Sequence, residues 1–172
     1  MPALKKHNFY NFIGNINHMR NLYLFTIILC VQIGFAQSSD SNDVKTTIDR
    51  FFEGFHKQDS LIMLETIDKD MVLQTIGKDR EGKTVVRSSE VSNFLKSIAS
   101  IPKDKSFKED LTDYNIQVDG DMAHAWTPYY FYFDKNFSHC GVNSFQLVRK
   151  EGKWKIIYLV DTRRKDCRVE ED

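Results

Sequence analysis

The sequence lacks an excess of basic residues, internal repeats, low-complexity stretches and any long linker. Its 24 Lys and Arg are balanced by 24 Asp and Glu, so it has no basic surplus of the kind that binds nucleic acid or an anionic membrane surface. The absence of a linker argues against a second domain. We therefore expect one ordinary domain that has no nucleic acid partner.

Histidine and cysteine are too sparse for a metal site. The chain has five His and three Cys, and none of them follow the spacing of zinc ligands. His139 and Cys140 are adjacent, but neighbours in a strand point to opposite faces. The histidine therefore cannot activate this cysteine as a nucleophile. We predict no metal and no other cofactor.

Residues 1–36 have the pattern of a cleaved secretory signal peptide. An apolar run over Leu22–Ala36 follows Arg20 and ends in small residues. The run is too short and too interrupted to favour a membrane span, and a retained N-terminal anchor is the alternative. We expect Met19 to be the true start and Gln37 to begin the mature chain. The mature protein would be periplasmic or secreted, with no membrane association.

Removal of this segment leaves an acidic chain with two cysteines. The remaining 136 residues hold 21 basic and 24 acidic side chains, a net charge of −3. If Glu151-Gly152 forms a hairpin turn, Cys140 lies opposite about Arg163, four residues before Cys167. An oxidising compartment would permit a Cys140–Cys167 disulfide, which would tie the C-terminal tail to the sheet and contribute about 3 kcal/mol. Two free thiols are the alternative.

The hydrophobic pattern places helices first and strands last. Apolar residues at helical spacing predict three helices, through 44–55, 61–67 and 91–98. Ser88 or Ser89 is the expected cap of the third helix. Strands are expected at 71–76, 84–87, 114–118, 122–133, 138–150 and 154–161. This order predicts an α+β fold in which three N-terminal helices pack on a curved, mostly antiparallel sheet.

The same order of elements resembles the nuclear transport factor 2-like superfamily, which includes SnoaL-like cyclases and ketosteroid isomerases. The resemblance covers nearly all of residues 43–162. Five short motifs are similar to the branch of the superfamily that is named for lumazine binding: Trp126-Thr-Pro-Tyr, His139-Cys-Gly, Phe145-x-Leu-Val-Arg, Trp154-Lys-Ile and Asp161-Thr-Arg-Arg. The resemblance implies one domain over 37–172, a cone-shaped sheet around a pocket, and a homodimer formed through the outer sheet face.

The side chains that face such a pocket depend on how neighbouring strands pair. If Phe133 pairs with Ser138, one face collects His124, Trp126, Tyr130, Tyr132, His139, Asn143, Phe145, Trp154, Ile156, Tyr158 and Val160. The other face receives Thr127, Tyr129, Phe131, Cys140, Ser144, Gln146, Asp161 and Arg163. A one-residue change of register swaps the two sets, so membership is better determined within a strand than between strands.

The first of these faces is the predicted ligand site. Trp126 would stack on a planar aromatic or heterocyclic ligand, and Tyr130, Tyr132 and His139 would form hydrogen bonds with it. Asn143 shares this face and is a further candidate. The alternative is an aromatic core beneath the helices, with tyrosine hydroxyls at its edge.

Asp161 and Arg163 form a second candidate group at the end of the last strand. The planar guanidinium suits an anionic or carbonyl group of a ligand, and Asp161 would hold it or act as a base. An exposed structural ion pair is the alternative. Superfamily members with isomerase activity use an acidic base opposite tyrosine-type donors. Here Asp110, Asp113 and Asp161 all compete for that role, so no catalytic residue is assigned.

Three functions remain open at this point. The first is an exported, non-catalytic protein that binds a small ligand in an aromatic-lined pocket. The second is a metal-independent enzyme of the isomerase, dehydratase or cyclase type, with an acid–base residue in the cavity. The third is a dimeric accessory or interaction domain. A carboxylate with a strongly shifted pKa inside the cavity would favour the enzyme.

Overall fold

The structure is a computed structural model and describes residues 39–167. The predicted signal peptide over 1–36, the start at Met19 and the mature N-terminus at Gln37 lie outside these residues. The described helices are α1 over 39–57, α2 at Ser60–Thr66 and α3 at Val91–Ala99. The described strands are β1 (Ile67–Lys78), β2 (Thr84–Ser89), β3 (Phe107–Leu111), β4 (Asn115–Asp119), β5 (Met122–Phe133), β6 (Asn136–Lys150) and β7 (Lys153–Thr162).

Local sequence signals explain how the first two helices meet. Asp59 caps α2, because its side chain accepts hydrogen bonds from the backbone N–H groups of Leu61 and Ile62. Gly54 lies where α2 crosses α1, and a Cβ at this position would lie 2.8 Å from the side chain of Met63. The glycine therefore permits the close packing of α2 against α1.

Several element boundaries differ from the prediction, and the strand β3 at Phe107–Leu111 was not predicted. Ser88 and Ser89 belong to β2 rather than capping α3, whose N-cap is Glu90 without a side-chain hydrogen bond. Strand β1 begins at Ile67, directly after α2, because Ile67 adopts an extended backbone at the end of the helix. The strand pairs with β7 through Ile67, so the chain enters the sheet four residues earlier than its alternation indicates.

The predicted α+β fold is confirmed. The strands form one curved sheet in the order β2-β1-β7-β6-β5-β3, and β4 also pairs with β5. All pairs are antiparallel except β1 with β7. The helices cover one face of the sheet, the inner face, where Ile48 and Phe51 of α1 pack with Phe145 of β6 and Ile156 of β7 in the buried core.

The predicted register between β5 and β6 is wrong by one residue. Asp134 and Lys135 have positive φ angles of 47° and 66° and form a two-residue turn, so that Phe133 pairs with Asn136. A bulge then leaves Ser138 unpaired, and Phe131 pairs with His139. Because of this net shift of one residue, Thr127 and Tyr129 of β5 share the inner face with His139 and Asn143 of β6, and Trp126 lies on the outer face.

A second bulge changes the faces between β6 and β7. Leu147 pairs with Ile156, but Gln146 pairs with Tyr158, so β7 carries one extra residue. Trp154 and Ile156 therefore lie on the inner face as predicted. Tyr158 and Val160 do not, and the alternate residues Leu159 and Asp161 are buried in their place.

The predicted disulfide between Cys140 and Cys167 is confirmed. Cys140 pairs with Arg164, one residue from the predicted partner, through two backbone hydrogen bonds of 3.0 Å. The Cα atoms of the two cysteines lie 6.2 Å apart, within the usual range for a disulfide. The bridge fastens the segment after β7 to the middle of the sheet.

Two further observations concern residues 39–167 alone. No helix in this part of the chain is both long and apolar enough to cross a membrane. The same residues contain no group of three or more His, Cys, Asp or Glu side chains placed to hold a metal ion.

Candidate functional site

A cavity of about 310 Å³ lies between α1, α3 and the inner face of the sheet. Its apolar lining consists of Phe51, Phe52, Phe55, Leu73, Phe94, Ile98, Phe131 and Leu159. Its polar lining consists of Thr75, Ser89, Ser97, Glu109, His139, Asn143, Asp161 and Arg163. A concave space that combines apolar walls with converging polar groups is typical of a small-molecule site.

A larger groove of about 700 Å³ lies beside α1, α2 and the β6–β7 turn, but it is more open to solvent. Its charged residues include Arg50 and Glu65, which pair with each other at 3.1 Å and remain exposed. Exposed ion pairs of this kind contribute little to binding or stability. The smaller cavity holds ionisable groups that are withdrawn from water, and we place the site there.

Glu109 is the most unusual ionisable group in this cavity. Alternation along β3 places Phe107, Glu109 and Leu111 on one side of the strand, and Phe107 is buried. Asn143 Nδ2 donates a hydrogen bond of 2.7 Å to Glu109 Oε1. None of the described residues donates to Oε2. Burial, and to a lesser extent the charge of Asp161, raises the pKa of Glu109 to about 7.

His56 of α1 fixes the backbone at this position. The N–H of Glu109 donates a hydrogen bond of 2.9 Å to His56 Nε2. An accepting Nε2 carries no proton, so the imidazole is neutral and protonated on Nδ1. Burial also lowers the pKa of His56. This contact connects α1 to the edge strand β3 and fixes the position of the Glu109 backbone.

Asp161 forms the centre of a second polar group. The residue is 8% exposed, and its Oδ1 accepts a hydrogen bond of 2.5 Å from the Thr75 hydroxyl of β1. Its Oδ2 accepts from Arg163 Nε at 2.8 Å. The guanidinium is thereby held in a fixed orientation at the cavity, and its charge is compensated by an anchored carboxylate.

Tyr129 lies next to the ion pair of Asp161 and Arg163. Its hydroxyl donates to the Thr162 carbonyl at 2.9 Å and lies 3.3 Å from Asp161 Oδ2. Burial raises the pKa of Tyr129, so the phenol stays protonated. Gly141 lies opposite Tyr129 on β6, and a Cβ there would lie 1.8 Å from the Thr162 carbonyl oxygen. The glycine therefore allows β7 and the tyrosine to approach each other.

His139 completes the polar lining. Its ring stacks on Phe131, with 4.8 Å between centroids, and meets the edge of Tyr129 at 5.9 Å. Burial and then the charge of Arg163 lower the pKa of His139. The imidazole is therefore neutral near pH 7 and offers the cavity a polar but uncharged group.

The structure brings together four of the seven predicted ligand residues. His139, Asn143, Asp161 and Arg163 all line the cavity. Trp126, Tyr130 and Tyr132 lie on the outer face instead, because the β5 register differs by one residue, and Trp126 is 47% exposed. A role of these three residues in ligand binding stays a prediction. The aromatic walls of the cavity are phenylalanines from α1, α3 and β5.

The sequence interpretation missed Glu109. Of the three acidic residues considered as a base, Asp110 forms an ion pair with Lys108 and Asp113 is exposed, so neither lines the cavity. Asp161 does. The missed signal is the alternation Phe107-x-Glu109-x-Leu111, which places a carboxylate between two apolar residues on one face of a short strand.

Comparison with known proteins supports the fold. No family model and no curated protein matches this sequence. A solved NTF2-like protein of unknown function from Shewanella baltica is 16% identical, with a TM-score of 0.54 over 75% of this chain and 97% of that chain. A candidate dehydratase of the NTF2-like family from Streptomyces avermitilis is 17% identical, with a TM-score of 0.57 over 74% and 97%.

A candidate ketosteroid isomerase from Shewanella frigidimarina is 13% identical, with a TM-score of 0.51 over 69% of this chain and 94% of that chain. These matches define the fold class as an α+β cone. The chain has the NTF2-like fold of nuclear transport factor 2. Because identities this low show the fold alone, the chemistry has to be argued from the cavity.

Proposed function

We propose that the cavity binds a small organic ligand and that Glu109 transfers a proton on it, in metal-independent chemistry of the isomerase or dehydratase type. The observation that carries this proposal is the position of Glu109: a carboxyl group inside an apolar-walled cavity, with one hydrogen-bond donor and a pKa of about 7. Such a carboxylate is the feature that favours an enzyme over a simple binding protein.

Glu109 is suited to act as both base and acid. At neutral pH about half of such carboxyl groups are ionised, so the group can accept a proton from one ligand atom and return it to another. Asn143 holds Oε1, which leaves Oε2 for the ligand. The phenylalanine walls reduce the local dielectric and thereby strengthen the interactions between Glu109 and a bound ligand.

Negative charge that develops on a ligand oxygen during proton transfer has to be stabilised by a hydrogen-bond donor. The Tyr129 hydroxyl donates to a backbone carbonyl, whereas the terminal nitrogens of Arg163 are not used by Asp161. We assign the charge-stabilising role to Arg163, since Asp161 already holds its guanidinium in a fixed orientation and little reorganisation is needed when the charge develops. The candidate dehydratase and the candidate isomerase with the same fold are consistent with this class of reaction.

Export and dimerisation remain part of the proposal. The Cys140–Cys167 disulfide supports an oxidising compartment. Exposed apolar side chains on the outer sheet face, among them Met122 at 56% and Trp126 at 47%, support a homodimer formed through that face.

Hydrogen–deuterium exchange tests the proposed chemistry. A panel of small carbonyl compounds with acidic C–H groups is incubated in D₂O with the wild-type protein, with Glu109→Gln and with Asp110→Asn, and followed by NMR. We expect at least one compound to exchange with the wild type and Asp110→Asn, and at least 100-fold more slowly with Glu109→Gln. Exchange that is equally fast with Glu109→Gln would contradict the role of Glu109.

A further inference from the structure

We propose that the ligand of this cavity is a singly charged carboxylate with an apolar body, and that Arg163 binds its carboxylate. This inference rests on the ligand site of the proposed function, but it does not require that Glu109 performs catalysis. It commits to one chemical class, an aryl or short alkyl monocarboxylate.

Asp161 contacts only one of the three guanidinium nitrogens of Arg163. Its Nε donates to Asp161, and within residues 39–167 this is the one hydrogen bond or ion pair that the side chain makes. Both terminal nitrogens therefore lack an acceptor among the residues that the structure describes. The side chain is 57% exposed while it lines the cavity, which places the guanidinium at the mouth, where a ligand enters.

The guanidinium is also held in place before a ligand arrives. Asp161 is 8% exposed and is itself anchored by the Thr75 hydroxyl. A planar guanidinium that is fixed at Nε presents its remaining N–H groups as a fork, which matches the two oxygens of a carboxylate. A carbonyl or hydroxyl group would engage only part of this fork.

The surrounding charges disfavour a dianion. Asp161 compensates one positive charge, and Glu109 adds a further acidic group to the same cavity. A dianionic phosphate would meet two carboxyl groups and one guanidinium, which disfavours it. A monocarboxylate is less affected, because the charges of Asp161 and Arg163 cancel each other when Glu109 is protonated.

The apolar lining defines the rest of the ligand. Five phenylalanines, Phe51, Phe52, Phe55, Phe94 and Phe131, line the space. The volume of about 310 Å³ lies at the lower end of the range for small-molecule sites. One aromatic ring or a short alkyl chain therefore fits, with its carboxylate at the mouth.

Carboxylate binding should depend on the protonation of Glu109. The ionisable groups around Glu109 are His56 of α1, Lys108 and Asp110 of β3, Tyr129 of β5, His139 of β6, and Asp161 and Arg163 of the β7 end. With a pKa of about 7, Glu109 is mostly neutral at pH 6 and mostly charged at pH 8. If only the protonated form accepts the ligand, affinity is about tenfold higher at pH 6 than at pH 8.

Calorimetry with matched probes tests the inference. The protein is purified from its own host and titrated with 3-phenylpropionate, 3-phenylpropionamide and 3-phenylpropanol. We expect the carboxylate to bind at least tenfold more tightly than the amide or the alcohol at pH 6. Equal affinities for the three probes, or no binding of any of them, would overturn the inference.

Variants test whether Arg163 is the residue that causes the preference for the carboxylate. Arg163→Gln should abolish the preference for the carboxylate, and Arg163→Lys, which keeps the charge but loses the fork, should reduce it. Arg164→Gln is the matched control, because Arg164 is adjacent in sequence but does not line the cavity. A preference that survives Arg163→Gln would also overturn the inference. Thermal unfolding of each variant checks that it is folded.

Glu109→Gln separates this inference from the proposed function. The variant should keep the carboxylate preference and lose the dependence on pH. If the preference depends on Arg163 but no probe undergoes proton exchange, the carboxylate site stands and the proposed catalysis fails. If Glu109-dependent exchange occurs on neutral carbonyl compounds without any carboxylate preference, the catalysis stands and the present inference fails.

Discussion

The side chain of Asn143, in the middle of β6, donates a hydrogen bond of 2.7 Å to Glu109 Oε1 on the edge strand β3. The two residues are 34 positions apart in the chain and reach each other across the inner side of β5. This contact orients the carboxyl group and stabilises its ionised form, while burial favours the neutral form. Their balance holds the pKa near neutrality, and the following predictions test the consequences.

Removal of this hydrogen bond should raise the pKa of Glu109 further. Asn143→Ala deletes the donor that favours the carboxylate, whereas the burial that raises the pKa remains. We expect the midpoint of Glu109 titration to move above 7, with a loss of stability of about 1–2 kcal/mol. NMR titration of the labelled side chain measures the shift. Gln146→Ala, on the outer face of β6, serves as the control and should leave the midpoint unchanged.

The stability of the protein should fall as the pH rises through the range in which Glu109 titrates. The folded pKa is raised from 4.5 to about 7, so between these values the unfolded chain loses its proton while the folded chain retains it. The free energy of unfolding therefore decreases by up to about 3 kcal/mol over this interval and then levels off.

Urea unfolding at pH 5 and pH 8 measures this effect. Glu109→Gln removes the group, so the variant should gain stability relative to the wild type when the pH is raised. Asp110→Asn changes an exposed neighbour and should leave the difference between the two pH values unaltered. An identical pH dependence in the wild type and Glu109→Gln would contradict the raised pKa.

The disulfide should stabilise the fold and the position of Arg163. Cys167→Ser opens a loop with a sequence separation of 27 between the cysteines, and we expect a loss of about 3 kcal/mol. Unfolding of the wild type in the presence of a reductant should show the same loss, while the reductant should not affect Cys167→Ser. Equal stability of the oxidised wild type and the variant would show that the bridge does not constrain the fold.

Gly141 should tolerate no side chain. A Cβ would lie 1.8 Å from the backbone oxygen of Thr162, so β6 and β7 would have to separate and the Tyr129 hydrogen bond would be lost. We expect Gly141→Ala to lower stability by about 3 kcal/mol. Gly77→Ala on β1 is the matched control, since its Cβ would meet only the flexible end of Arg87 at 3.0 Å. Comparable losses in both variants would contradict this explanation.

The sequence predicted the order of the helices and of every strand except β3, because that order is encoded locally. Apolar residues at helical spacing mark α1 and α3, and long alternating runs mark β5, β6 and β7. The disulfide was predictable for the same reason, since the turn at Gly152 sets Cys140 nearly opposite Arg164. These features depend on neighbours in sequence or on one tight turn.

The residues that line the cavity were less predictable than the order of the helices and strands. The unpaired Ser138 and the extra residue before Tyr158 are bulges that leave no mark in the hydrophobic pattern. Each of them reverses which residues of the two paired strands share a face, in β5 relative to β6 and in the second half of β7 relative to β6. Trp126 was therefore placed inside and Tyr129 outside, whereas the structure shows the reverse.

Glu109 illustrates a second limit. Its strand has only five residues and two of its neighbours are charged, so it gives a weak alternation signal. The raised pKa arises from burial by elements that are distant in sequence, including α1 and β6. Such desolvation is a property of the folded chain and cannot be derived from spacing.

The central claim is that Glu109 is a cavity carboxyl group that exchanges its proton near neutral pH. The most direct test is a ¹³C NMR titration of protein labelled at the glutamate carboxyl carbon, with the Glu109 resonance assigned through Glu109→Gln. We expect a midpoint at about pH 7. A midpoint at the ordinary glutamate value near 4.5 would contradict it and would favour a cavity that binds its ligand without proton transfer.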